Sequence, residues 1–301
     1  MSESADQGKS GMSLAVQRTF LALKSVIVEP LYSDSEPVGT AASGFLRQEG
    51  TKLFLFTCWH VVTGLDPVDL TLPRGWRQRR FLRVSLKEAK REQQGVVSIG
   101  GIRTVTVSLF DDSTGQSKWM QDDAYLPNTD IQNVGFYVPF WHDLIKIELP
   151  SDLFVSDIQI IDESKLSRAG LNLGEKCLVV GFPNGFSAAG RFDPEPVALT
   201  RYVACARMKH FPNLFLLEAI AAPGMSGGPV FVERGEDLLF AGVYSGSLYT
   251  DSRPDDSISR HITALGRGSD LFLHLNVPAL KMVEKPCSPT QRPYGSYEGR
   301  S

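Results

Sequence analysis

The sequence predicts an all-β protein in two units, and three observations carry that expectation. Short apolar runs rich in Val, Ile, Leu and Phe recur along the chain, each punctuated by Gly, Pro, Asn or Asp. Several runs alternate, as Ile102, Val105, Val107 and Leu109 do, with a shift of register near Thr104. No long 3.6-residue period competes; a weak one over 270–283 allows a short C-terminal helix. Spacing of this kind belongs to a sandwich or barrel rather than to βαβ units.

In chain order, residues 1–18 are polar and acidic at first and read as a flexible segment. The apolar part that follows is broken by Gln17, Arg18 and Lys24, so it is expected to be neither a secretion signal nor a membrane span. The first β unit covers 19–150 and holds "KSVIVEP", "KLFLFT", "FLRVSL", "IRTVTVSLF" and "DLIKIEL". Residues 151–169 are loop-like and polar, an inter-unit linker. The second unit, 170–283, holds "KCLVVGF", "LFLLEA", "GPVFV" and "LLFAGVYSG". Residues 284–301 are poor in apolar side chains and rich in Pro, Gly and Ser, a disordered tail.

A formal net charge of −3 gives no overall pull toward nucleic acid or membrane. One block, "RGWRQRRFLRVSLKEAKR" at 74–91, is basic, with Trp76 and Phe81 interleaved. It could track a phosphate backbone, but a solvated loop and strand face is the simpler reading, with Asp111, Asp112, Asp122 and Asp123 near enough to neutralise it. Cys58, Cys177, Cys205 and Cys287 stand far apart, with no CxxC and no histidine at ligand spacing. They read as reduced thiols, three in or near the core and Cys287 in the tail. That usage points to the cytosol and to a protein with no metal or other cofactor.

Chemistry concentrates in "APGMSGGPVF", 222–231, where three glycines surround Ser226. A serine hydroxyl reacts only when a base takes its proton and donors stabilise the oxyanion. Glycines beside it allow backbone N–H groups to form an anion site, although a serine among glycines also makes a flexible turn. Of five histidines, His60 is placed best, at the end of the strand in "LFLFTCWHVVTG". Asp143, opening the apolar "DLIKIEL", is a half-buried carboxylate that wants a partner such as a histidine N–H. Its neighbour His142 reads as solvated, and Cys58 as a small core side chain under the base.

The order His60, Asp143, Ser226, with "TCWHVV", "HDLIKI" and "GMSGGPV", resembles the chymotrypsin-like (trypsin-fold) serine peptidases. "GTAASGFL" at 39–46 and "VVGFPNG" at 179–185 are similar to the bacterial trypsin-like, HtrA-type branch, here without a PDZ-like domain after the second unit. The resemblance implies two antiparallel six-stranded β-barrels with a Ser-His-Asp triad in the cleft between them. It implies an oxyanion hole from the N–H groups of Gly224 and Ser226. It also implies a substrate-pairing strand at Ser245, Gly246 and Ser247, with Ser245 near the triad aspartate. Ile220 would floor an apolar specificity pocket. Met225 stands where secreted members carry an aspartate that captures a new N-terminus, so that activation route is closed. The implied function is a cytoplasmic serine endopeptidase acting through an acyl-enzyme. Its expected partners are a protein or peptide substrate and a regulatory protein, not a membrane or nucleic acid. The alternative is a silent relative that only binds peptides or partner proteins.

Overall fold

A computed structural model describes residues 13–65, 75–92, 97–121, 136–137, 143–153, 155–162, 170–185, 195–206, 214–218, 222–250, 261–268 and 277–278. The strands of the first half are β1 (Val26–Leu31), β2 (Ala42–Glu49), β3 (Lys52–Thr57), β4 (Phe81–Arg91), β5 (Val97–Ser108), β6 (Trp119–Gln121), β7 (Phe136–Tyr137) and β8 (Ile145–Glu148). The second half supplies β9 (Lys176–Gly181), β10 (Val197–Cys205), β11 (Leu214–Leu217), β12 (Pro229–Arg234), β13 (Asp237–Thr250), β14 (His261–Gly268) and β15 (Val277–Pro278).

These strands form two antiparallel sheets. The first runs β15-β6-β8-β3-β2-β1-β4-β5, and its ends approach through a bridge between Phe110 and Ser117. The second runs β12-β9-β10-β11-β14-β13-β7, and the pairing of β12 with β13 closes six of its strands into a ring. The two-barrel expectation therefore stands, with extra strands on each sheet. Two of these cross the expected boundary: β7 comes from the first half and pairs with β13, and β15 comes from the second half and pairs with β6. Val277 and Pro278 are thus strand, not helix; the rest of the 270–283 period lies outside the described residues.

Three apolar clusters fill this frame. One lies within the first sheet around Leu46, Leu55, Leu82, Val84 and Trp119. Another lies within the second around Val179, Phe215, Met225 and Tyr244. The third joins the two sheets, with Phe45, Phe56 and Leu144 packed against Val180, Phe231 and Phe240. Phe45 stacks on Phe56 and meets Phe240, each at 5.2 Å between ring centroids. Because Phe45 is completely buried between the barrels, Phe45→Ala should cost about 3–5 kcal/mol, through lost transfer energy plus the cavity left behind. Urea unfolding checks this; a cost below about 1 kcal/mol would mean the interface collapses around the hole.

Several expectations change in the described structure. Residues 14–18, placed in the flexible segment, belong to a short helix α1 (Leu14–Thr19). Gln17 clips that helix to the second barrel: its amide donates to Glu236 O at 2.9 Å and accepts from Leu238 N–H at 3.1 Å. Arg18 pairs with Glu233 at 2.7 Å. The linker segment is also anchored, because Ile158 and Ile161 are buried and Ile161 N–H donates to Leu46 O. The irregularity in β5 sits opposite Lys87–Ala89 rather than at Thr104; pairing runs regularly from Ile102 to Ser108, which puts Ile102 on the outer face with Thr104.

Among the described residues the basic segment pairs with glutamates and not with Asp111 or Asp112. Arg77 pairs with Glu36, Arg83 with Glu29 and Lys87 with Glu195. The Asp111 carboxylate instead accepts from Ser113 and Thr114 in its own turn, which lowers its pKa to about 2. Asp122 and Asp123 lie outside the described residues, and Trp76 spends its indole N–H on Thr63 O. Among the described residues Cys58, Cys177 and Cys205 form no disulfide. Burial pushes the Cys177 thiol up to about 12. Cys287 lies outside the described residues.

Candidate active site

His60 does not end a strand. β3 stops at Thr57, Cys58 turns the chain, and His60 sits in the one-turn helix α2 (Trp59–Thr63). Gly64 ends that turn in the left-handed region, φ 74°, its N–H donating to His60 O. Pairing of Thr57 with Ile145 across β3 and β8 brings this helix beside Asp143, 83 residues along the chain. The fully buried Asp143 carboxylate then grips His60 twice. One oxygen accepts the backbone N–H at 2.9 Å, and the other meets ring Nδ1 at 2.8 Å. The ring is partly open to solvent, and with Nδ1 engaged only Nε2 remains to take up a proton.

Ser226 lies in the turn that leads into β12 and lines the same cleft as His60, a space of about 350 Å³. The glycines around it answer to crowding. A Cβ on Gly224, φ 91°, would meet Phe182 O at 2.5 Å and Asn184 N at 2.6 Å. One on Gly227, φ 86°, would collide with Ser43 O and with Thr57 Oγ1. The turn is therefore pressed against both barrels, which only glycine permits.

Peptide planarity then sets the donors. Pro223 O accepts from Asn184 N–H, so the N–H of Gly224 is turned to the opposite side of that peptide. Met225 O accepts from Gly228 N–H at 2.8 Å, and the N–H of Ser226 is likewise turned away. Among the described residues neither N–H has a protein acceptor, whereas those of Met225, Gly227 and Gly228 do. Two unspent donors beside a hydroxyl are the groups an anion site would need.

Sequence reasoning missed the residue that holds this turn in place. Ser43, fully buried on β2, donates its hydroxyl to Gly224 O at 2.8 Å and its N–H to Ser226 O at 3.0 Å. It also accepts from Phe182 N–H, and its carbonyl accepts from Thr57 Oγ1. The only signal was its place inside "GTAASGFL". Met225 is completely buried in the second barrel's core.

The remaining site residues fall out unevenly. Ile220 lies outside the described residues. Ser245 is buried, and its Oγ makes no hydrogen bond among the described residues. Its neighbourhood does offer a strand edge. Beyond Tyr244, β13 leaves β12 and keeps β14 on one side, Gly246 facing Leu265 and Ser247 facing Ala264. The other side has no strand partner among the described residues until β7 joins at Tyr249. Cys58, His60 and Asp143 offer ligand atoms within 4.8 Å of one another, as a metal would need. Two of those atoms are already bonded to each other, and the Cys58 thiol is turned on Tyr244 O, so the group reads as a histidine–carboxylate pair.

Comparison with known proteins gives matching findings. The trypsin-like peptidase domain family matches residues 42–239. Among curated proteins, none matches the chain by sequence. A thermostable serine protease, AL20, from an extremophilic microorganism aligns with TM-score 0.47 and 11% identity, over 85% of this chain and 97% of its own. Human heparin binding protein aligns with TM-score 0.43 and 16% identity, over 84% and 89%.

Proposed function

Since the chain belongs to the trypsin-like peptidase family, we propose that it is a serine endopeptidase using His60, Asp143 and Ser226. The observation that carries this reading is the double grip of Asp143 on His60 in a cleft that Ser226 also lines. Ser226 Oγ attacks the scissile carbonyl while His60 Nε2 takes its proton. The oxyanion accepts from the N–H groups of Gly224 and Ser226. Nε2 then returns the proton to the leaving amine, which departs and leaves the acyl ester on Ser226. Water enters and repeats the sequence, releasing the acid. The acyl side of the substrate lies as an added strand along Ser245, Gly246 and Ser247. The wide spacing of the four cysteines, with no CxxC, supports a cytosolic setting.

A fluorophosphonate probe tests the assignment. It should label the wild-type chain and leave Ser226→Ala unlabelled. Failure to label folded wild type would favour a silent, peptide-binding protein instead.

A further inference from the structure

Leading into and along β4, Arg77, Arg79 and Arg83 have different fates. Arg77 and Arg83 each hold a glutamate. Arg79 has no carboxylate partner among the described residues, although it is partly buried on the wall of the cleft that holds His60 and Ser226. It spends Nη1 on the carbonyls of His60 and Val61, at 3.0 and 2.5 Å. Its Nε and Nη2 lie over Gly64, where a Cβ would come within 2.9–3.1 Å and press on them, and neither nitrogen has a protein acceptor among the described residues. Burial without a counter-ion disfavours the charged form and lowers the Arg79 pKa. A carboxylate brought to the open edge would relieve that cost and complete a charge-assisted fork.

The position decides which part of a substrate supplies it. The acyl side follows the free edge of β13, and among the described residues no β13 residue lines this cleft. The space around Arg79 is walled by Thr40, Ala41, Gly64 and Leu65, beyond His60 on the leaving-group side. Building on the peptidase reading, we infer that Arg79 selects peptides carrying a carboxylate within about two residues after the scissile bond, a reach set by the extended spacing per residue. Arg79 is a specificity residue that touches the departing half of the substrate.

The test uses quenched fluorescent peptides that differ only on that side: Glu against Gln at the first and second positions after the cleaved bond, and a free C-terminus against an amide. The wild-type chain should favour one carboxylate form by about tenfold or more in kcat/KM, the size of a charge-assisted hydrogen bond. The Glu/Gln arm reports a side-chain carboxylate and the acid/amide arm a terminal one. Arg79→Met should bring the ratio to about one, and Arg79→Lys should restore part of it. Because Arg79 also ties the α2 carbonyls, the ratio is the readout; a purely structural role would lower both rates together and leave it unchanged. Equal rates for every pair in wild type overturn the inference, as does a preference that survives in Arg79→Met. If Arg79→Met does not fold, an unchanged ratio in Arg79→Lys with loss of preference at neither low nor high salt overturns it equally. A chain that takes no fluorophosphonate and cleaves no peptide fails the peptidase reading, a distinguishable result.

Discussion

On the proposed triad, replacing Asp143 by asparagine should lower kcat by about 10⁴-fold with the fold retained, the loss known when a triad aspartate becomes an amide. The geometry says why. Asp143 accepts twice from one residue, from the backbone N–H of His60 and from its ring nitrogen. The backbone N–H cannot change its role, so the amide oxygen must stay on it. The amide NH2 is then left facing Nδ1, which has to become an acceptor. The ring proton moves to Nε2, where it blocks uptake of the Ser226 proton. Steady-state kinetics on a variant with wild-type unfolding behaviour provides the check. A loss under about tenfold would remove Asp143 from the role of fixing the imidazole tautomer.

Gly227→Ala should harm both stability and activity. The residue has φ 86°, and its missing Cβ faces the Ser43 carbonyl and the Thr57 hydroxyl, both on buried strands of the first barrel. The left-handed backbone costs about 1–2 kcal/mol for alanine, and forcing the neighbours apart costs about 1–3 kcal/mol more. Relief requires moving the turn, and the turn holds the N–H of Ser226. Activity should therefore fall by about 10²–10³-fold in whatever fraction folds, the cost of losing an oxyanion donor. Denaturant unfolding and active-site titration measure the two effects separately. Wild-type stability in this variant would show that the inter-barrel contact is softer than the structure has it.

Much of the site could be read before the fold was known, for a chemical reason. Nucleophile, base and orienting acid must be particular residue types, and glycines must crowd the nucleophile's turn, so Ser226, His60 and Asp143 stood out. Ser43 did not, because its work is done with a carbonyl, an N–H and one small hydroxyl, which any buried serine possesses. Arg79 was hidden inside a basic run whose members look alike until Glu29 and Glu36 claim Arg83 and Arg77. The α1 helix escaped notice because its anchor is Gln17, reaching residues more than two hundred positions away. The exchange of β7 and β15 between the sheets left no mark either, since two-residue strands carry no periodicity.

By itself the sequence determined the β class, the two-barrel plan and which three residues are proposed to react. Each of these follows from local pattern or from chemistry that only certain side chains can perform. Tertiary structure alone decided that Asp143 holds His60 by two bonds and that, among the described residues, the donors at Gly224 and Ser226 stay unspent and Arg79 faces the cleft without a carboxylate. Those outcomes depend on strand register and on where backbone carbonyls point, and contacts between residues far apart in the chain fix both.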